Sequence, residues 1–211
     1  LTLDRRIVVN LNYTLTSELL NKCIARAEIK HVITSRRFME RVPLKLDCEL
    51  IYLEDMRSAP TLVDKAVGAI QGHIVPAGLL ARLLGHGDDQ AHDPMTIMFT
   101  SGTTGAPKGV VMRHGQTLRQ FGDWCDWAGL QAGDRYLVVN PFFHMFGYKA
   151  GWLACLLRGV TLLPVPVFDV EVVLDLVERE RVTVFPAAPT VYQSILDHPS
   201  LPSRDVSSLR V

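Results

Sequence analysis

Between Thr96 and Met112 the chain reads Thr-Ile-Met-Phe-Thr-Ser-Gly-Thr-Thr-Gly-Ala-Pro-Lys-Gly-Val-Val-Met. The hydroxyls of Ser101, Thr103 and Thr104, the glycines Gly102, Gly105 and Gly109, and Lys108 stand between two β-branched runs. Unhindered backbone N–H groups, side-chain donors and one mobile cation are what a polyphosphate needs around it. The spacing is not that of a Walker A loop, in which the lysine is followed by Ser or Thr and then a helix. Here Lys108 is followed by Gly109 and the strand-like Val110-Val111-Met112, so the loop should join two antiparallel strands, with no obvious helix dipole. A generic Gly/Thr hairpin carrying a surface lysine is the alternative.

The segment Thr100 to Gly109 resembles the signature phosphate-binding loop of the adenylate-forming superfamily, which includes acyl-CoA synthetases, luciferases and peptide adenylation domains. The pattern Thr-Ser-Gly-Thr-Thr-Gly-x-Pro-Lys-Gly is present in full. The resemblance implies activation of a carboxylate by ATP with Mg2+, release of pyrophosphate, and transfer of the acyl group to a thiol such as coenzyme A. It places the nucleotide-binding set at Thr100, Ser101, Gly102, Thr103, Thr104, Gly105 and Lys108. Ser101, Thr103, Thr104 and Lys108 would touch the β- and γ-phosphates, and Gly102 and Gly105 would let the backbone close around them.

A second segment, Gly133 to Gly147, ends in Asn-Pro-Phe-Phe-His-Met-Phe-Gly. It resembles the superfamily's next core segment, which implies that His144, Phe146 and Gly147 lie beside the acyl pocket and thiol tunnel. An imidazole among phenylalanines can hydrogen-bond a carboxylate while the rings cover an apolar chain. A core histidine bonded to a backbone carbonyl is the competing account, and the sequence leaves both open. A weaker third match, Val182 to Thr190, resembles the Pro-rich turn bordering that pocket. Read from the residues alone it is an ordinary βα turn with Thr190 capping the next helix. No residue is singled out as catalytic or as a metal ligand.

Other superfamily segments do not occur in these residues: the Tyr-Gly-x-Thr-Glu that binds magnesium and the Thr-Gly-Asp that holds the ribose. The adenylation lysine would lie beyond Val211. The opening on Leu1 and the strand-like ending at Val211 point to a piece of a larger protein, and such a piece is expected to be inactive alone. Residues 1–90 resemble the acyl–acyl-carrier-protein synthetase branch, and residues 91–211 the actinobacterial acyl-CoA ligases. That difference raises two further options, a chimera of two branches and a catalytically silent engineered assembly of enzyme pieces. An acyl carrier protein is the alternative acceptor to coenzyme A.

Of the 211 residues, 48% are apolar, enough for a substantial core, and 22 basic residues balance 22 acidic ones. Nothing in that balance marks a nucleic-acid-binding face. Cys23, Cys48, Cys125 and Cys155 are scattered without a Cys-x-x-Cys pair, which fits reduced thiols in a cytoplasmic protein. No apolar run reaches membrane-spanning length. Apolar faces that a longer protein would cover raise the prospect of self-association.

The elements that must position these residues alternate between strand and helix. The patterns predict strands near residues 7–10, 31–34, 50–53, 136–140, 161–164 and 183–185. Helices are predicted over 16–27, 35–41, 114–130, 148–158, 170–181 and 191–198. Residues 65–84, interrupted by Gly68, Gly72, Pro76 and Gly78, predict two short helices or a broken one. Glu54-Asp55 reads as an acidic turn, and His86 and His92 as loop residues without a third metal ligand. Phe121, Trp124 and Trp127 at helical spacing read as core. The expected fold is α/β, a layered, mostly parallel sheet flanked by helices. By resemblance it is part of the large N-terminal domain of an acyl-CoA synthetase-like enzyme.

Overall fold

The computed structural model describes residues 5–86, 91–100 and 107–211, in two compact units divided in the chain between His114 and Gly115. In the first unit, β1 (Val8–Asn10) precedes α1 (Ser17–Arg26), whose N-cap Thr16 accepts the Leu19 N–H and whose inner face buries Leu20, Cys23 and Ile24. Then follow β2 (His31–Thr34), α2 (Arg36–Arg41) capped by Ser35, and β3 (Glu49–Tyr52), which pairs in parallel with β2. The expected acidic turn is instead a helix, α3 (Leu53–Ser58). Its acids have work there: Glu54 accepts the Arg36 N–H at 3.1 Å and Asp55 pairs with the Arg36 guanidinium at 2.7 Å.

The glycine- and proline-interrupted stretch forms two helices, α4 (Leu62–His73) and α5 (Ala77–Leu83). A reciprocal Thr61–Asp64 capping box starts the first, and Pro76 separates them. Next come β4 (Pro94–Thr100) and β5 (Lys108–Arg113), which pair antiparallel, while β1 runs parallel on the other side of β4. Thr96 is buried and its hydroxyl donates to the Val8 carbonyl, so β1 and β4 are joined by a side chain as well as by the ladder.

The second unit is wound in the parallel sense. After α6 (His114–Trp127) come β6 (Arg135–Val138), a π-helix over Phe146–Leu153 that runs into α7 (Ala154–Arg158), and β7 (Thr161–Pro164). Then α8 (Val170–Glu180) leads by way of Val184 to α9 (Pro189–Leu196). Strands β6 and β7 pair in parallel; on the other side of β6, Leu137 N–H donates to Val184 at 2.9 Å, and Phe185 N–H in turn to Val211. Residues 183–185, expected as a strand, make a single parallel bridge through Val184.

Alternation along β6 divides the core. Tyr136 and Val138 pack with Cys125, Ala128, Ala154 and Cys155, whereas Leu137 packs with Val173, Val177, Val182 and Phe185. A strand buried on both faces between helices is what a parallel sheet requires. Gly159, at φ 64°, ends α7 in the left-handed region before β7.

The start of β6 is fastened by Asp134, a buried carboxylate. It accepts the Gln131 N–H at 2.9 Å, the Thr183 hydroxyl at 2.8 Å and Arg210 Nε at 3.2 Å, and pairs with Arg210 Nη2. Burial works to raise this carboxyl's pKa, but Arg210 and the other two donors outweigh it and hold it below its ordinary value.

Candidate active site

In the first unit, β4 and β5 bring the ends of the glycine-rich segment together. Thr100 lies directly opposite Lys108 in the antiparallel register, and Lys108 is exposed at the first position of its strand. One rung further in, Gly109 faces Phe99, and a Cβ there would come 3.3 Å from the ring. Glycine thus allows that ring to lie across the hairpin. Ser101, Gly102, Thr103, Thr104 and Gly105 lie outside the described residues. The antiparallel hairpin expected from the sequence is present, and a threonine and a lysine stand where the backbone leaves the ladder.

In the second unit, the turn after β6 places His144, Phe146 and Gly147. His144 is exposed, and its Nδ1 accepts the Phe146 N–H at 3.2 Å. That bond leaves the proton of a neutral imidazole on Nε2, a donor suited to a carboxylate or phosphate oxygen. The buried histidine bonded to a carbonyl, which the sequence left open, is not what forms. The backbone N–H of His144 donates to Pro141 and its carbonyl accepts from Tyr148, so the ring sits on a closed turn.

Gly147 is where the π-helix touches this turn. A Cβ there would lie 2.2 Å from the Asn140 carbonyl oxygen and 2.5 Å from that of Pro141. At Gly151 it would lie 2.9 Å from a Val138 methyl. Glycine at these two positions lets the helix lie directly on β6 and the turn. The same wide helix buries Lys149 completely, with Nζ 4.1 Å from the Tyr148 ring centroid, and burial pushes the ammonium down to about 8.

Phe146 also lines an apolar recess of about 230 Å3 with Trp124, Trp127, Pro186, Tyr192 and Val211. Two sequence segments singled out separately, the His144 turn and the Pro-rich turn, therefore share one cavity. The second turn is not held as expected. Ala188 is the N-cap of α9 and makes no side-chain cap bond, while Thr190 lies inside the helix. Tyr192 fastens the turn instead: its hydroxyl donates to the Phe185 carbonyl at 2.6 Å and accepts the Ala187 N–H at 3.0 Å. Pro189 at the first helical position has no N–H and so needs no acceptor there.

Of the α6 aromatics read as core, Phe121 is buried and Trp124 packs against the core, but Trp127 departs from expectation. Thr117, Phe121 and Cys125 form the buried stripe at four-residue spacing. Trp127 lies off that stripe and is 78% exposed, at the mouth of the recess rather than in the core. Counting aromatics at helical spacing missed this; projecting the helix against its Thr117–Phe121–Cys125 line would have found it. Lys149 also went unremarked, for a lysine inside an otherwise apolar helical run is the only trace it leaves in sequence. Among the described residues no group of three or more His, Cys, Asp or Glu is placed to hold a metal ion.

Known proteins resemble this chain in sequence and in fold. The chain is 54% identical over 119 residues to a (methyl-dioxo-octahydroindenyl)propanoyl:CoA ligase of Rhodococcus jostii, and 52% over 118 residues to that of Mycobacterium tuberculosis. Each match takes in 56% of this chain and 23% of the relative, so the chain spans about a quarter of the length of the curated relatives it matches. The N-terminal domain of FACL13 from Mycobacterium tuberculosis shares the fold at a TM-score of 0.72 and 21% identity, over 97% of this chain and 48% of that one. ATP-bound MatB from Rhodopseudomonas palustris does so at 0.71 and 26%, over 97% and 39%. A family model described as AMP-binding enzyme matches residues 5–211, nearly the whole length. On that match over nearly the whole length, the chain belongs to the AMP-binding enzyme family.

Proposed function

We propose that these residues are the nucleotide- and acyl-binding part of an ATP-dependent acid–thiol ligase. In that reaction a carboxylate and ATP give an acyl-adenylate and pyrophosphate, and a thiol then takes the acyl group as AMP leaves. The observation that carries the reading is the complete Thr100–Gly109 signature, with its ends held opposite one another by an antiparallel ladder. The donor set of Ser101, Thr103, Thr104 and the loop amides suits phosphate oxygens, and Lys108 adds the positive charge. His144 Nε2 is the donor offered to the carboxylate, and the recess beneath Phe146 takes the apolar body of the acid.

Coenzyme A is the acceptor that fits the ligases named above, and an acyl carrier protein is the alternative that the character of residues 1–90 favours. A difference in lineage near residue 90 is part of this proposal; the structural units divide later, at His114 and Gly115. The free thiols of Cys23, Cys48, Cys125 and Cys155 support a reducing, cytoplasmic setting. Among the described residues no helix is long and apolar enough to cross a membrane.

Activation of a carboxylate depends on positioning and electrostatic stabilisation. These 211 residues contain neither the magnesium-binding Tyr-Gly-x-Thr-Glu segment nor an assigned adenylation lysine, so binding without turnover is the expected behaviour. The test is protection of Lys108. MgATP should shield it from an amine-reactive reagent and should raise the melting midpoint of the parent but not of Lys108→Ala. Equal labelling with and without MgATP, together with an unmoved midpoint, would establish a catalytically silent assembly and end the ligase reading.

A further inference from the structure

We infer that the indole pair of α6 is the specificity wall of the recess and selects a compact ring-bearing acid over a straight-chain one. The inference rests on the recess being the acyl site. Three observations support it, the first being shape. Trp124 and Trp127 lie 5.4 Å apart with their planes tilted by 33°, and both line the recess. Phe146 meets Trp124 nearly at a right angle, 5.7 Å away and at 72°. All three rings line the recess, so a flat or fused ring entering it meets aromatic side chains from both α6 and the π-helix. A flexible alkyl chain gains only dispersion there, and loses rotamer freedom in gaining it.

The second observation is size. An apolar cavity of about 150 Å3 is enough for a benzene ring. The recess here, about 230 Å3, is half as large again, so it has room for a two-ring body but not for a long chain lying within it.

The third is exposure. Trp127 is 78% exposed although tryptophan is among the side chains that gain most from burial. A ring seated in the recess would cover that indole face. Tyr192, which also lines the recess, is held in place by its hydroxyl's bonds to Phe185 and Ala187.

The experiment is calorimetric titration of the 211-residue chain with 3-(indanyl)propanoate and with dodecanoate below its micellar concentration. The parent should bind the indanyl acid about tenfold more tightly than dodecanoate, which two aromatic contacts can supply. Trp127→Ala and Trp127→Leu should bring that ratio to about one without weakening dodecanoate. Trp152→Phe, which alters a tryptophan stacked on Tyr148 outside the recess, should keep the ratio. Absence of binding, a parent without the preference, or a preference that survives both Trp127 substitutions would each overturn the wall. Lys108 protection by MgATP reads the ligase assignment separately. Protection with no ring preference sinks the wall alone, and ring preference with no protection sinks the ligase reading while the indole pair still selects rings.

Discussion

Replacing Gly147 by alanine should damage the second unit more than any other single methyl addition. The added Cβ would stand 2.2 Å from the Asn140 oxygen and 2.5 Å from the Pro141 oxygen, where ordinary contact begins at 3.4 Å. Backbone on one side must therefore move by about 1.2 Å, and neither side moves cheaply. The Pro141 carbonyl holds the His144 N–H at 3.0 Å, and the π-helix is seated on β6, with Gly151 in turn close to Val138. Overpacking of a well-filled site costs about 1–3 kcal/mol when side chains can yield. Here the obstacles are carbonyls, so a loss of about 3 kcal/mol or more is expected. For a chain of this size that lowers the melting midpoint by about 6–12 °C. Differential scanning calorimetry reads the shift, and binding of the indanyl acid should weaken with it because Phe146 hangs from the same turn. Gly122→Ala is the internal comparison: nothing lies within 4 Å of that Cβ in α6, so it should gain about 0.5–1 kcal/mol. A Gly147→Ala chain melting with the parent would show that the turn is not packed as described.

Three further expectations can be read in the same preparation. Tyr192→Phe removes the bridge between Phe185 and Ala187 and should cost about 1–2 kcal/mol in urea denaturation; no change would mean the Pro-rich turn holds itself. Lys149 has a folded pKa of about 8 against about 10.4 unfolded, so between those values the unfolded chain binds more protons and stability should rise with pH, by at most about 3 kcal/mol. Lys149→Met should be more stable than the parent at pH 7, with the gap closing by pH 10; a constant gap would refute the burial cost. Asp134 is depressed, so its contribution is present above about pH 4 and is lost as pH falls through the folded value. Asp134→Asn should cost about 2–3 kcal/mol at pH 7, a partly exposed Arg210 keeping it below the cost of breaking a fully buried pair, and the two chains should converge near pH 2.

Much of this architecture could be read from sequence because its signals are local. The parallel strand–helix alternation, the Ser35 cap, the break at Pro76 and the hairpin joining Thr100 to Lys108 each depend on residues a few positions apart. Where the reading failed, the deciding partner was distant. Glu54 and Asp55 form a helix rather than a turn, and their charges answer Arg36, eighteen and nineteen residues away. The strand expected through Asn140 stops at Val138, after which Asn140 and Pro141 face Gly147. A regular α-helix was expected from Tyr148, yet the helix begins wide at Phe146, and Gly147 and Gly151 are what let it sit so close to β6.

The candidate site divides along the same line. Under the proposed function the Thr100–Gly109 signature is legible because one phosphate group is met by consecutive amides and hydroxyls, so its chemistry is written in order along the sequence. The recess has no such signature. Its walls come from the end of α6, the turn after β6, the Pro-rich turn and Val211, and no spacing rule links Trp127 to Tyr192. A ligase must hold the same triphosphate whatever acid it activates, whereas the acid differs from one relative to the next. On the proposed function, chemistry common to all of them would therefore be concentrated in one loop, and selectivity spread over side chains from several elements. This predicts how substitutions should separate: changes at Lys108 should abolish the rise in melting midpoint with MgATP without touching the preference among acids. Changes at Trp127 should do the reverse, and a variant at either position that moved both would mean the two sites are not independent.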